Sequence, residues 1–302
     1  SLAYILFTSG TTSEPKGVPI RQESVVQYVQ SMASLYPLLP TDRCTQLFEL
    51  TFDLSVHDMF VTWTAGACLY VPHRGRALFS SDLIVSHELT VWFSVPSVVL
   101  ELMRSRKLTP DAFPSLRLAF FCGERMSVEL AQAMKIAAPN ALIVNLYGPT
   151  EATIAFTHFA WDGRDLPEIC HDLPIGHPLP GQQVFLLDSN RQPVLPKTFG
   201  EMYLVGSQVS DGYWKNSTQP AARYHNLVPN DQTPLHAYAT GDLANGQSQR
   251  SRAVVRDVVK DSDISLKYQL LIRRSSQRTL LTLWGNPAAK PWLLLVGFHS
   301  LV

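Results

Sequence analysis

Over residues 1–155, short β-rich runs alternate with stretches of helical period, and few folds accept that order. Candidate strands fall at residues 2–7, 45–50, 67–71, 91–94, 116–121 and 142–146. Between them, residues 23–35, 55–63, 96–103 and 128–137 space their apolar side chains along one helical face. The alternation predicts an α/β fold, with mostly parallel sheet layers and flanking helices. From residue 156 to 243 the texture changes to short apolar runs, such as 184–187 and 202–205, broken by Pro and Gly. That pattern predicts a small β-rich module following the α/β part. Three regions are therefore expected: 1–155, 156–243 and 244–302.

The first loop carries the densest chemistry. Residues 7–17 read FTSGTTSEPKG, placing hydroxyls, two glycines and Lys16 directly after an apolar run. Hydroxyls and exposed backbone N–H groups surround phosphate oxygens well, glycine permits close approach, and lysine adds positive charge. The same composition also suits a plain solvated loop between two elements. The pattern GxxxxGK[ST] is absent, because Gly17 follows Lys16, which disfavours an ordinary P-loop ATPase or GTPase.

The loop resembles the phosphate-binding signature of the adenylate-forming superfamily (acyl-CoA synthetases, luciferases and peptide-synthetase adenylation domains), typically TSG[ST]TGxPKG. This chain departs once, with Ser13 where glycine is usual. Further segments follow in the family's order: NLYGPTE at 145–151, GEMYLVGSQVSDGY at 200–213 and YATGDL at 238–243. The resemblance implies an AMP-forming ligase by ancestry, using ATP and Mg2+ to join a carboxylate to the α-phosphate. It places Thr8, Ser9, Gly10, Thr11, Thr12 and Lys16 around the β- and γ-phosphates. Asn145, Tyr147, Gly148 and Thr150 belong to the adenine segment, with Tyr147 stacking on the base and Thr150 contacting the α-phosphate. Glu151 would hold magnesium and Asp242 the ribose hydroxyls; Lys16, Thr150 and Glu151 are the expected catalytic groups. A carboxylate beside phosphates suits the oxygen preference of magnesium.

Substrate choice is read from FDLSVHDMF, residues 52–60. It resembles the adenylation-domain segment whose aspartate pairs with the α-ammonium group of an amino acid, and Asp53 occupies that position. A carboxylate in an apolar pocket needs a cationic partner, so a fatty acid would leave Asp53 unpaired. The lesser alternative is that Asp53 caps the helix expected from Ser55. By position, Leu54, His57, Phe93, Phe120, Cys122, Leu146, Ile154 and Ala155 would line the pocket. His57 could line it or face solvent, and Cys122 could be an ordinary small core residue. The run FFCGE at 120–124 also resembles D-alanine–carrier-protein ligases, which have a cysteine beside the substrate α-carbon. These likenesses imply a small neutral amino acid such as alanine, and a carrier protein whose phosphopantetheine thiol receives it. The rivals are an acyl-CoA synthetase acting on a plain carboxylic acid and an inactive nucleotide-binding remnant.

Composition limits the alternatives. A 46% hydrophobic content with zero formal charge argues against a nucleic-acid binder, and Cys44, Cys68, Cys122 and Cys170 show no CxxC spacing. No run reaches the ~18 apolar residues of a membrane span, so a cytoplasmic location is expected. The chain starts at Ser1 inside an apolar run and reads as an internal piece. Residues 244–302 hold nine Lys/Arg against three Asp and no Glu, whereas residues 1–243 hold 16 against 22 acidic residues. Neither the glycine-arginine hinge nor the lysine context of the family's C-terminal domain occurs there. A shifted reading frame, an alternative end or sequence decay would each produce such a tail.

Overall fold

The computed structural model describes residues 1–8, 15–72, 80–164, 171–215, 223–228, 233–246 and 255–259. Its centre is a seven-stranded sheet ordered β4-β3-β5-β6-β7-β8-β9. The parallel part comprises β3 (Arg43–Thr45), β4 (Cys68–Tyr70), β5 (Val91–Ser94), β6 (Leu118–Phe121) and β7 (Leu142–Tyr147). β5 and β6 are buried along their whole length. Their alternate side chains feed two cores, one on each face, as expected for a sheet covered on both sides. Val91, Phe93, Leu118 and Phe120 enter one core with α1 (Gln22–Leu35) and α2 (Leu54–Thr64). Trp92, Ala119 and Phe121 enter the other, with α3 (Ser80–Ser86), α4 (Pro96–Arg104) and α5 (Val128–Ala137).

The helices follow from local sequence. α1 buries Val25, Tyr28, Val29 and Met32, the spacing of one helical face. α4 starts on Pro96, where the missing N–H is harmless, and Glu124 accepts from both the Ser97 N–H and its hydroxyl. The Ser127 hydroxyl caps α5 by accepting from Leu130 N–H.

Some expectations change. The run at 2–7 becomes β1 (Leu2–Thr8), but it pairs antiparallel with β2 (Lys16–Arg21) in a separate two-stranded ribbon. The strand expected at 45–50 stops at Thr45. There the buried Asp58 carboxylate accepts from Leu47 N–H and the Gln46 side-chain amide donates to Phe48 O, so side chains replace a ladder. Helix α3 was not expected from the apolar spacing. β8 (Thr157–Trp161) extends the large sheet antiparallel to β7, and β9 (His177–Pro178) pairs antiparallel with β8, so the separate module begins after β9.

That module is an antiparallel sheet ordered β10-β11-β13-β12, with β14 on β13. Its strands are β10 (Gln183–Leu187), β11 (Gly200–Val205), β12 (Tyr224–Leu227), β13 (Leu235–Gly246) and β14 (Val255–Val259). β13 runs through the boundary expected at residue 243, and β14 brings five residues of the basic region onto the sheet. The apolar runs at 280–284 and 292–298 lie outside the described residues. Among the described residues no helix is long and apolar enough to cross a membrane.

Candidate active site

The ribbon β1–β2 delivers the first loop. Thr8 and Lys16 are cross-strand partners at its mouth, and Thr8 Oγ1 donates to Lys16 O at 3.5 Å. Ser9, Gly10, Thr11 and Thr12 lie outside the described residues. Lys16 Nζ sits over the Tyr213 ring, 5.1 Å from its centroid.

The second piece grows from the carboxyl end of β7, where open parallel sheets place their ligands. After Tyr147 the chain makes a short 3-10 turn, Thr150–Ala152, and returns so that Phe156 N–H donates to Tyr147 O at 2.7 Å. Gly148 is required by this return: a Cβ there would lie 2.6 Å from Ala155 Cα. Gly148→Ala should therefore destabilise the fold by about 2 kcal/mol through overpacking. Urea denaturation checks this, and an unchanged midpoint would show that the turn relaxes freely. Thr153 and Ile154 both take left-handed backbone angles, with φ 58° and 68°. For β-branched residues this costs of order 1–3 kcal/mol each, so something must hold them. The fully buried Gln208 does so. Its Nε2 donates towards the carbonyls of Ala152, Thr153 and Ala155, and its backbone carbonyl accepts from Thr153 Oγ1 at 2.6 Å.

Asp53 occupies the N-cap position of α2 but makes no side-chain cap bond. Its carboxylate points instead into the protein, only 8% of the residue is exposed, and Oδ2 is buried without a hydrogen-bond partner. Burial pushes its pKa up to about 6, and Glu151 adds repulsion. The Thr150 hydroxyl and the Ile154 backbone act in the opposite direction. The strained turn that carries Glu151 thus also reaches the Asp53 carboxylate.

Leu54, Phe93, Phe120, Cys122, Leu146, Ile154 and Ala155 all belong to one packed cluster beside it. His57 is buried with them rather than facing solvent. Its ring centroid lies 4.4 Å from that of Phe93 and 5.3 Å from that of Phe120, and Nδ1 is 2.7 Å from Tyr28 Oη. Burial lowers the His57 pKa to about 3, so the ring is neutral at pH 7. Cys122 is equally buried.

Tyr147 and Asp242, 95 residues apart, meet through a 2.5 Å bond from Tyr147 Oη to Asp242 Oδ2. Burial raises the Tyr147 pKa, so its hydroxyl stays protonated and donates. The Asn145 amide donates to the carbonyls of Leu173 and Pro174, which ties a neighbouring segment to β7. Glu151 is 7% exposed, and its Oε1 accepts from Tyr213 Oη at 2.9 Å. The sequence reading brought Thr8, Lys16, Thr150, Glu151, Tyr147, Asp242 and Asp53 forward, and the fold gathers them around the β7 turn. It gave no roles to Gln208 and Tyr213. Both lie in the segment 200–213, so the signal available was that segment itself.

The profile of the AMP-binding enzyme family matches residues 1–214, and the chain belongs to that family. It is 33% identical over 246 residues to the D-alanine–D-alanyl carrier protein ligase of Lacticaseibacillus casei, covering 80% of this chain and 47% of the relative. An L-proline–[L-prolyl-carrier protein] ligase of Streptomyces coelicolor is 33% identical over 232 residues, covering 74% and 43%. The fold superposes with a TM-score of 0.76 on the Vibrio cholerae adenylation domain AlmE in complex with glycyl-adenosine-5'-phosphate. That match has 32% identity and covers 84% of this chain and 48% of the other. The chain thus spans about half the length of the relatives it matches.

Proposed function

We propose that this chain is the nucleotide- and amino-acid-binding part of an adenylation domain that activates a small neutral amino acid such as alanine. The product would be an aminoacyl-adenylate, passed in the cytoplasm to the phosphopantetheine thiol of a carrier protein. In this reading residues 1–155 carry most of the contacts, residues 156–243 add Asp242, and residues 244–302 take no part in substrate recognition.

The observation that carries the reading is the orphaned Asp53 Oδ2 in an apolar wall. An uncompensated buried carboxylate is costly, and an ammonium group arriving against it would relieve that cost. With a pKa of about 6, Asp53 is mainly ionised at pH 7 and ready to accept that charge. The wall suits a small side chain because Phe93, Phe120, Leu146 and His57 already fill the space. Cys122 would lie near the substrate side chain.

Glu151 supplies a hard oxygen donor next to the Thr150 hydroxyl, a donor set that fits Mg2+. When bound, the cation would neutralise phosphate charge. Thr150 would orient the α-phosphate, and Lys16 with Thr8, Ser9, Gly10, Thr11 and Thr12 would hold the β- and γ-phosphates. Tyr147 would stack on adenine, and Asp242 would accept from the ribose hydroxyls.

The test isolates the amino group. Alanyl-sulfamoyladenosine and its propionyl counterpart, which lacks only the amine, are titrated by calorimetry. The alanyl compound should bind about 30-fold more tightly. Equal affinities would favour the acyl-CoA-synthetase reading and sink this one.

A further inference from the structure

Lys16 begins β2 of the ribbon and Glu151 lies on the 3-10 turn after β7, yet one aromatic side chain touches both. Tyr213 carries Lys16 Nζ over its face at 5.1 Å and donates its hydroxyl to Glu151 Oε1 at 2.9 Å. No ion pair joins Lys16 directly to Glu151 among the described residues.

The backbone fixes this placement from both sides. Trp214 N–H donates to Gly17 O at 2.7 Å, stitching the segment to β2 next to Lys16. Ser210 N–H donates to Glu151 O at 2.8 Å, stitching it to the 3-10 turn. The ring is braced edge-on against Tyr224, with centroids 5.5 Å apart at 81°.

We propose that Tyr213 is a positioning residue that sets Lys16 and Glu151 at a fixed separation, and so links phosphate binding by the loop to divalent-cation binding at the turn. The inference rests on the reading of Lys16 and Glu151 given above. Its physical content is a division between two parts of one side chain. The ring face holds an ammonium by a cation–π contact, which is exchangeable when phosphate arrives. The hydroxyl occupies Glu151 Oε1 and so restrains the carboxylate, which would leave Oε2 for a cation. A direct Lys16–Glu151 ion pair would instead neutralise both groups before the nucleotide arrived.

Two variants separate the two parts. Tyr213→Phe keeps the ring and removes the hydroxyl, whereas Tyr213→Leu removes both. The full chain is titrated with ATP by calorimetry, once with excess EDTA and once with excess MgCl2. In Tyr213→Phe, affinity in EDTA should be unchanged, while the gain from magnesium should shrink about fivefold. In Tyr213→Leu, affinity in EDTA should also fall, by about threefold to tenfold. Should Tyr213→Leu fail to fold, Lys16→Met tests the ammonium arm with the ring left in place, and the same fall in EDTA is expected. An unaltered or larger magnesium gain in Tyr213→Phe overturns the inference while leaving the roles of Lys16 and Glu151 standing. If the unmodified chain itself gains nothing from magnesium, the assignment of Glu151 falls, and this inference with it.

Discussion

Asp53→Asn is expected to do two opposite things: weaken amino-acid binding and stabilise the ligand-free chain at neutral pH. The loss of binding should be about 2–4 kcal/mol, because a buried ammonium loses its charged partner while the shape of the pocket is kept. The gain in stability comes from linkage. The Asp53 carboxyl has a pKa of about 6 in the folded chain against an ordinary value of 3.8, so the folded state binds the proton more tightly. Its destabilising contribution is absent below about pH 4, grows as pH rises through the window to about 6, and is complete above it. At about 1.4 kcal/mol per pKa unit, the difference between variant and parent should be near zero at about pH 4 and reach about 2–3 kcal/mol at pH 7.

His57 runs the other way. Its folded pKa of about 3 lies below the ordinary 6.5, so the stability it contributes as a neutral ring is present above pH 6.5 and lost as pH falls. Both proteins share that term, and it cancels in the difference. Urea denaturation at several pH values supplies the measurement. A stability difference that is flat with pH, or a parent more stable than the variant at pH 7, would mean that Asp53 is not a strained buried charge.

Gln208→Leu is the second large effect. The substitution keeps side-chain bulk but removes the amide that donates towards three carbonyls of a turn with two left-handed β-branched residues. Stability should fall by about 3–4 kcal/mol, from unpaired buried carbonyls together with released strain. Because the same turn carries Thr150, Glu151 and the backbone that reaches Asp53, ligand affinity should fall at temperatures where the variant is still folded. Hydrogen exchange at the Thr153 and Ile154 amides gives the local readout. Unchanged exchange there, with only a global loss of stability, would reduce Gln208 to ordinary core packing.

What could be read from the chain alone follows from the range of the interactions. α5 matched its expected bounds, and β5 its expected residues, because helical spacing and an apolar run between turns are local signals. β1 misled for the same reason. Its run LAYILFT looks like a buried central strand, and only pairing with KGVPIR shows that it belongs to a separate ribbon. The shortened β3 depended on Asp58, a residue on the following helix, and no local window contains that competition.

The site divides similarly. Asp53, Thr150, Glu151 and Asp242 sit in recognisable segments, but the bond joining Tyr147 to Asp242 spans 95 positions. Gln208 and Tyr213 act across 53 to 62 positions, so neither side chain announces its role in its neighbours. The buried state of His57, left open between pocket and solvent, was decided by Tyr28 on a different helix.

The parallel sheet has one further consequence. Phe93 and Phe120 are register partners on adjacent strands, and Leu146 stands on the next strand along. Their side chains make the wall while their backbones are locked in the ladder. In the proposed function, contacts to phosphate fall instead to residues such as Thr150, on a turn whose backbone shape is itself the working part. A new amino-acid preference can therefore arise by exchanging side chains on unmoved rails, one position at a time. The nucleotide chemistry has no such freedom, because altering it means rebuilding a loop. Substrate choice in this architecture is an easily edited property, carried by a chassis that tolerates little editing.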